Sequence, residues 1–100
     1  MTDAFEHDRV GHVVLADVGG TNVRFSLLMG GVLGPIEHLS VRDYKHFGDA
    51  LDAFMSRQSE RAAIHAAIFA VAGVVTGERC ELTNYPWTVD AAELRARFGF

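Results

Sequence analysis

The hydrophobic positions of the first forty residues follow the period of β-strands. The first stretch, 12–17, is apolar between its first and last residues, which is typical of a strand buried on both faces. In 22–29 every second residue is apolar, so a second strand is predicted there. Gly30 then begins a predicted tight turn, and 32–41 predicts a third strand. Because proline cannot donate to a ladder, Pro35 places this third strand at the edge of an antiparallel meander.

Beyond residue 43 the hydrophobic period changes to that of an amphipathic helix. Apolar residues recur at i, i+3, i+4, i+7 and i+8, which predicts a helix over 44–58 with Asp43 as its N-terminal cap. The residues of this apolar stripe are Phe47, Ala50, Leu51, Phe54 and Met55. The apolar stretch 64–71 then predicts a buried strand beside the first one and parallel to it, because a helical crossover joins the two.

Turn and capping signals organise the last part of the chain. Gly73 and Gly77 bracket a predicted short turn, and 78–82 predicts the arm of a brief hairpin. Asp90, with a glutamate three residues later, resembles a capping box and is expected to open a final helix. Gly99 is expected to end that helix, since glycine is favoured just past a helix C-terminus.

Composition favours one soluble globular unit that binds a small molecule. The 100 residues are 49% hydrophobic, and the net charge of −4 comes from interspersed residues of both signs, so neither nucleic acid nor an anionic membrane is indicated. No apolar run approaches the ~20 residues that cross a bilayer. Cys80 is the sole cysteine and forms no internal disulfide. Residues 1–11 are polar without the apolar core of a signal peptide, so we expect a flexible lead-in and a cytoplasmic location.

The residues between the first two predicted strands carry the most readable chemistry. Asp17 ends the first strand, and Gly19, Gly20 and Thr21 follow it closely. Because glycine lacks a Cβ, Gly19 and Gly20 can adopt positive φ and bring the backbone close to ligand oxygens. Their N–H groups and that of Thr21 can form an anion-binding concavity, to which the Thr21 hydroxyl adds a donor. The sequence therefore predicts a phosphate loop.

The element after this loop separates it from two common phosphate motifs. A Walker loop and a dinucleotide fingerprint both open a helix, whereas the loop here leads into the strand 22–29, and neither glycine pattern is present. A bound phosphate would then be held by turn amides, without a helix dipole behind it. The alternative is that Gly19 and Gly20 form only a tight hairpin turn, and the loop by itself favours neither interpretation.

Three ordered motifs resemble the bacterial glucokinases, members of the superfamily of sugar kinases, heat-shock ATPases and actin. The motifs are LADVGGTNVRF at 15–25, AVAGVVTG at 70–77 and LTNYPW at 82–87. The commoner family pattern has proline where Val74 stands, which changes the turn without removing a chemical group. The resemblance covers about 12–100 and corresponds to the opening part of the family's length.

This resemblance implies a fold and a site. The fold is an α/β, ribonuclease-H-like (actin-like ATPase) half-domain, with three antiparallel strands followed by a helix and a parallel strand, incomplete at its C-terminus. Residues 12–100 would be the N-terminal part of the small glucokinase domain. The implied ATP phosphate-binding residues are Ala16, Asp17, Val18, Gly19, Gly20 and Thr21. Asp17 would also hold Mg²⁺ through water. Alternatively, Asp17 only stabilises the turn, by accepting an Asx-type hydrogen bond from a backbone N–H.

The implied reaction is phosphorylation of glucose at its 6-hydroxyl by ATP, with Mg²⁺, in glycolysis. In glucokinases the catalytic aspartate belongs to an Asn-Asp pair on the strand after the helix that here ends near Gly99, so we expect that aspartate beyond residue 100 and the chain alone to be inactive. The sequence leaves open whether the full-length protein forms a homodimer. The alternatives are a kinase for another hexose and a non-catalytic nucleotide-binding or regulatory module of the same superfamily.

Other polar and aromatic side chains carry weaker signals. Asn84 and Trp87 can line a sugar cleft, but Asn84 equally suits a turn and Trp87 equally suits packing. The five histidines, at 7, 12, 38, 46 and 65, contain no i, i+4 pair and no H-E-x-x-H, so a metal cluster is not predicted. Cys80 has no neighbouring base in sequence and is expected to be a small, partly buried apolar side chain.

Overall fold

A mixed five-stranded sheet forms the centre of the protein. The computed structural model describes residues 11–100, so the lead-in expected at 1–11 lies outside the described residues except for Gly11. The strands of this sheet are β1 (His12–Val18), β2 (Asn22–Met29), β3 (Val32–Leu33), β4 (Glu37–Ser40) and β5 (Ile64–Val71). Their order is β3-β2-β1-β5, and β4 also pairs with β2. The antiparallel β1–β2 hairpin and the parallel pairing of β5 with β1 are confirmed.

The predicted third strand is divided into β3 and β4. Both pair with β2 on the same side, which confirms the edge position, but residues 34–36 interrupt them. Here the N–H of Gly34 donates to the carbonyl of Leu27 at 2.8 Å, and the Ser26 hydroxyl donates to the carbonyl of Gly34 at 2.9 Å. Pro35 follows directly and has no N–H to continue the ladder, so the strand resumes only at β4.

The first helix, α1 (Phe47–Ser56), is shorter than the predicted 44–58, and Asp43 does not cap it. Asp43 lies in a 3-10 turn at Val41–Asp43, and Tyr44 after it is extended. His46 is the N-cap residue, and its N–H donates to the Asp49 carboxylate at 3.2 Å. The late start accompanies a tertiary contact, because Tyr44 is extended and the carbonyls of 44 and 45 accept hydrogen bonds from a distant indole N–H.

A second, three-stranded antiparallel sheet follows β5. It consists of β6 (Gly73–Thr76), β7 (Arg79–Leu82) and β8 (Thr88–Asp90), after which α2 (Ala91–Phe98) begins. The prediction of a turn across 73–77 is wrong, since only Gly77 and its neighbour turn and Gly77 has a φ of 62°. The predicted cap of α2 is confirmed, because the Asp90 carboxylate accepts the N–H of Glu93 at 3.2 Å. Gly99, with a φ of 79°, ends the helix as expected.

The main core lies between α1 and one face of the five-stranded sheet. The apolar stripe predicted for the helix is buried there. Phe25 of β2 stacks on Phe54 of α1 with ring centroids 5.0 Å apart, and Phe47 meets Phe69 of β5 edge to face at 5.0 Å. Such aromatic pairs add about 0.5–1.5 kcal/mol to the burial of their apolar area. Trp87, with its ring centroid 6.0 Å from that of Phe47, joins the smaller sheet to this core.

The opposite face of the five-stranded sheet is largely open, so the prediction that β1 is buried on both faces is wrong. Val14 and Val18 are buried, whereas Leu15 is half-buried and Asp17 is exposed. Within residues 11–100, α1 covers only the face of the sheet to which Val14 and Val18 belong. The open face carries a shallow apolar depression of about 450 Å³ whose lining includes Ile68. In the same part of the chain, neither helix is long and apolar enough to span a membrane.

Candidate functional site

The loop between β1 and β2 is a tight hairpin turn with an open outer surface. β1 and β2 pair as far as Val18 and Val23, and the N–H of Gly19 donates to the carbonyl of Asn22 at 3.1 Å. The Gly19 N–H is therefore used within the turn and is not available to a ligand, contrary to the prediction. The expectation of positive φ at Gly19 and Gly20 is also wrong, because neither adopts it.

Two donors of the loop remain free. Within the described part of the chain, the N–H groups of Gly20 and Thr21 donate no hydrogen bond, and Thr21 is exposed. The carbonyl of Thr21 accepts the N–H of Val41 at 3.1 Å, which ties the turn to the segment after β4. Two adjacent free amides on an anchored turn are a suitable anion site. The predicted concavity is thus reduced to Gly20 and Thr21.

A row of ionisable side chains crosses the outer face of the sheet beside the loop. Asp17 of β1 is paired in register with Arg24 of β2, and Arg24 with His38 of β4. The Arg24 guanidinium forms an ion pair with the Asp17 carboxylate, and each side chain is 54% exposed. The Asp17 carboxylate therefore accepts from Arg24 rather than from a turn N–H. The three side chains line a pocket of about 400 Å³ together with 19–22 of the loop.

Sequence reasoning did not single out Arg24 or His38 as site residues. For Arg24 a signal was present, because Asp17 and Arg24 are equally far from the centre of the turn between Gly20 and Thr21. In a two-stranded hairpin such residues face each other across the ladder. No comparable signal existed for His38, since the irregular break between β3 and β4 sets its register.

The segment 83–87 brings Asn84 to the loop and takes Trp87 away from it. Asn84 is exposed, and its Cβ lies 2.8 Å from the position that a Cβ on Gly20 would occupy. Trp87 is only 2% exposed, and its indole N–H donates to the carbonyls of Tyr44 at 3.3 Å and Lys45 at 3.1 Å. Trp87 is therefore a core residue and presents no face to a sugar. Asn84 remains a candidate for the cleft.

The remaining polar candidates offer no preformed metal centre. Within residues 11–100, no three histidine, cysteine, aspartate or glutamate side chains are grouped so as to bind a metal ion. Cys80 is buried, in agreement with its predicted apolar character. Asp17 alone fits a metal held partly by other groups, since Mg²⁺ commonly binds through one or two carboxylates together with waters and substrate phosphates.

Solved structures of other proteins share the overall fold of this chain. A glucokinase from an Antarctic psychrotroph superimposes with a TM-score of 0.79 at 25% sequence identity, covering 90% of this chain and 30% of that one. A putative sugar kinase from Cytophaga hutchinsonii gives a TM-score of 0.69 at 21% identity, covering 89% of this chain and 33% of that one, and shows the fold alone. By its fold, therefore, the chain is placed in the class of the sugar kinases.

Sequence comparison narrows the class to one family. The glucokinase of Paramagnetospirillum magneticum is 38% identical over 89 residues, which are 87% of this chain and 27% of the relative. The glucokinase of Stenotrophomonas maltophilia strain R551-3 is 34% identical over 93 residues, with 88% and 27% covered. The family model described as Glucokinase matches residues 14–100, and the chain belongs to the glucokinase family. The chain spans about a quarter of the length of these relatives.

Proposed function

We propose that the chain supplies the ATP phosphate-binding part of a glucokinase that transfers the terminal phosphoryl group of ATP to the 6-hydroxyl of glucose. The observation that carries this proposal is the pair of free N–H groups at Gly20 and Thr21, which open onto the pocket that Asp17 lines. Phosphate oxygens are acceptors for such donors, and a carboxylate beside them suits a metal-bound nucleotide. In fold, the chain would be a half-domain of the ribonuclease-H-like, actin-like ATPase type.

Each site residue has a distinct proposed role. The Gly20 and Thr21 amides and the Thr21 hydroxyl donate to phosphate oxygens, while Ala16, Val18 and Gly19 shape the turn. Asp17 orients Mg²⁺ through its waters, and the metal offsets the charge on the phosphates. Asp17 is now paired with Arg24, so metal binding would free the guanidinium to pair with a phosphate instead.

The reaction also requires groups that the site does not contain. A bond forms between the 6-hydroxyl oxygen and phosphorus while the bond to the leaving ADP breaks, and a base accepts the hydroxyl proton. We expect this base, the catalytic aspartate, beyond residue 100. Asn84 would lie at the sugar side of the cleft. The 100-residue chain alone is accordingly expected to bind Mg·ATP weakly and to show no kinase activity.

The direct test is a titration of the ¹⁵N-labelled chain with Mg·ATP, followed by NMR. We expect the amide signals of Gly20 and Thr21 to shift, while those of Gly30 and Gly31, which form the turn at the other end of β2, stay in place. The Gly30–Gly31 turn is a matched control, because it is an exposed glycine turn without an acidic neighbour on the preceding strand. Equal shifts in both turns, or none at millimolar Mg·ATP, would contradict the proposal.

A chimeric enzyme separates a kinase from a non-catalytic nucleotide-binding module. Residues 14–100 would replace the matching quarter of the Paramagnetospirillum magneticum glucokinase, and glucose phosphorylation would be followed in a coupled assay with ATP and Mg²⁺. We expect turnover from the chimera and none from the isolated chain. The chimera could instead fold, as judged by cooperative thermal melting, and show no turnover. That result would favour a non-catalytic nucleotide-binding module. Turnover by the isolated chain would contradict the expected missing base.

A further inference from the structure

We propose that Asn84 is a positioning residue for the phosphate loop, and that its Cβ, packed against Gly20, sets the direction of the Gly20 and Thr21 amides. The inference rests on the proposed function as far as the ligand is concerned. The contact itself joins two segments that are far apart in sequence. It gives Asn84 a role in the geometry of the anion site, in addition to any contact with a sugar.

The first observation concerns why a glycine stands at position 20. Gly20 does not have a positive φ, so its backbone conformation does not call for glycine. A Cβ at this position would instead lie 2.8 Å from the Asn84 Cβ and 3.5 Å from the Asn84 backbone carbon and oxygen. The neighbouring Gly19 differs, since a Cβ at that position would meet only an oxygen of the turn itself, that of Asn22 at 3.3 Å. Position 20 therefore requires glycine because Asn84 packs there.

The second observation is that Asn84 is held in place by the core. The N–H of Leu82 donates to the carbonyl of Trp87 at 3.0 Å, and the N–H of Trp87 donates to that of Tyr85 at 2.7 Å. Trp87 is in turn fixed by its buried indole. The N–H of Thr83 donates to the carbonyl of Ala72 at 3.3 Å. Asn84 thus projects from a segment anchored on both sides and has little freedom to retreat.

The third observation is that the loop is held from its other side as well. The Thr21 carbonyl accepts the Val41 N–H, and the Gly19 N–H is used within the turn. Among the described residues, the Gly19–Gly20 and Gly20–Thr21 peptides donate no such bond, and a Cβ on Gly20, which joins them, would meet Asn84. The Asn84 side-chain amide makes no hydrogen bond within residues 11–100, so the contact with the loop is made by its Cβ. Removing that Cβ would free these two peptides to reorient.

These contacts define a set of five variants of the 100-residue chain. Gly20→Ala adds a Cβ that collides with Asn84, and Asn84→Gly removes the carbon with which it collides. In the double variant Gly20→Ala/Asn84→Gly the contact is restored, because the Cβ between the two residues now comes from position 20 of the loop. Asn84→Ala keeps the Cβ and is the conservative variant. Thr83→Gly introduces a glycine one residue before Asn84, and it controls for the backbone flexibility that Asn84→Gly adds.

The measurements are thermal melting and NMR titration of the loop amides with Mg·ATP and with inorganic tripolyphosphate. We expect Gly20→Ala to weaken tripolyphosphate binding by about tenfold, the size of an ordinary coupling between contacting residues. Asn84→Gly should weaken it by a few-fold with little change in melting temperature. The double variant should bind better than Gly20→Ala, and Asn84→Ala and Thr83→Gly should bind like the unmodified chain.

The outcomes separate this inference from the proposed function. If the losses of the two single variants simply add in the double variant, or if Asn84→Ala is as defective as Asn84→Gly, the positioning role is overturned. If the unmodified chain binds neither probe, the proposed function fails, and the contact is judged from melting temperature instead: a lower value in Gly20→Ala that is recovered in the double variant supports it, and no recovery contradicts it. Should Gly20→Ala fail to fold, recovery of folding in the double variant supports the contact, and continued failure contradicts it.

Discussion

Asp17 is proposed to take part in metal and phosphate binding, yet its contacts contribute little to stability. Its carboxylate pairs with Arg24 at the surface, and both side chains are about half exposed. Exposed ion pairs contribute only about 0–1 kcal/mol to stability, because water and salt screen them. Its position beside the free loop amides, by contrast, places a negative charge where a metal-bound phosphate would be held.

Replacing Asp17 therefore tests its proposed role in metal binding without unfolding the protein. In the active chimera, Asp17→Asn keeps the shape and removes the charge, so kcat should fall and the Mg²⁺ concentration for half-maximal rate should rise, with little change in the KM for glucose. The melting temperature should stay close to that of the parent. Normal metal dependence, or a large loss of stability, would show that Asp17 serves only the ion pair.

Thr21 tests the hydroxyl contribution to the loop separately from its backbone. Thr21→Ala should leave the turn intact and remove one donor to a charged group, which is worth about 1.5–3 kcal/mol. The expected loss in kcat/KM for ATP in the chimera is therefore roughly ten- to a hundredfold. Thr76→Ala, at an exposed threonine of β6, is the matched control and should leave this constant unchanged. Unchanged kinetics in Thr21→Ala would leave the hydroxyl without a role.

At the scale of elements, the start of α1 shows how tertiary contacts shift a helix boundary. The sequence offers Asp43 as a cap, but Trp87 takes the carbonyls of Tyr44 and Lys45 and delays the helix. Asp49 in the first turn then accepts the N–H of His46 and also pairs with Arg97 of α2 at 3.2 Å. A single carboxylate thus serves the helix start and the contact between the two helices.

The contributions of Asp43 and Asp49 to the start of α1 can be compared directly by urea denaturation. Asp49→Ala should lower the free energy of unfolding by about 1 kcal/mol, since losing a capping hydrogen bond typically costs that amount. Asp43→Ala should change it by less than about 0.5 kcal/mol, as expected for a surface substitution away from such a contact. The reverse order would mean that α1 begins at Asp43 in solution.

At the scale of the whole molecule, the five-stranded sheet has an open edge and an open face. Within residues 11–100, β5 pairs with β1 only, and the outer edge of β5 carries no other strand. Ile68 at the middle of β5 is 63% exposed. β5 has no aspartate, glutamate, lysine, arginine or proline, the residues that usually protect an edge strand from pairing with another chain.

We therefore expect the isolated chain to self-associate through β5. Sedimentation at tens of micromolar should show species larger than a monomer, and Ile68→Lys should restore the monomer by placing a charge on this edge. Val75→Lys, at a similarly exposed valine of β6, is the control and should not change the association. A clean monomer of the unmodified chain, with β5 amides protected from exchange, would mean that something else covers the edge.

The sequence by itself determined the local features of this protein. Alternation predicted β2 and the helical period predicted α1, because each reflects which side of the element meets the core, while continuous apolar stretches predicted β1 and β5. The glycines and short polar side chains after β1 indicated that this loop is a candidate phosphate site. The cap and end of α2 were equally readable, since Asp90 and Gly99 act on neighbouring backbone groups. Ordered motifs then indicated the glucokinase family.

Only the tertiary structure decided which distant residues share the site. Nothing local to the loop reveals that Asn84 packs on Gly20, that Trp87 is buried beside α1, or that His38 joins the row of Arg24. These contacts depend on how separate elements pack and on the register of irregular strands, which no short-range period encodes. For the same reason the sequence overestimated the free amides of the loop: hydrogen bonding of Gly19 across the turn is settled only when β1 and β2 pair.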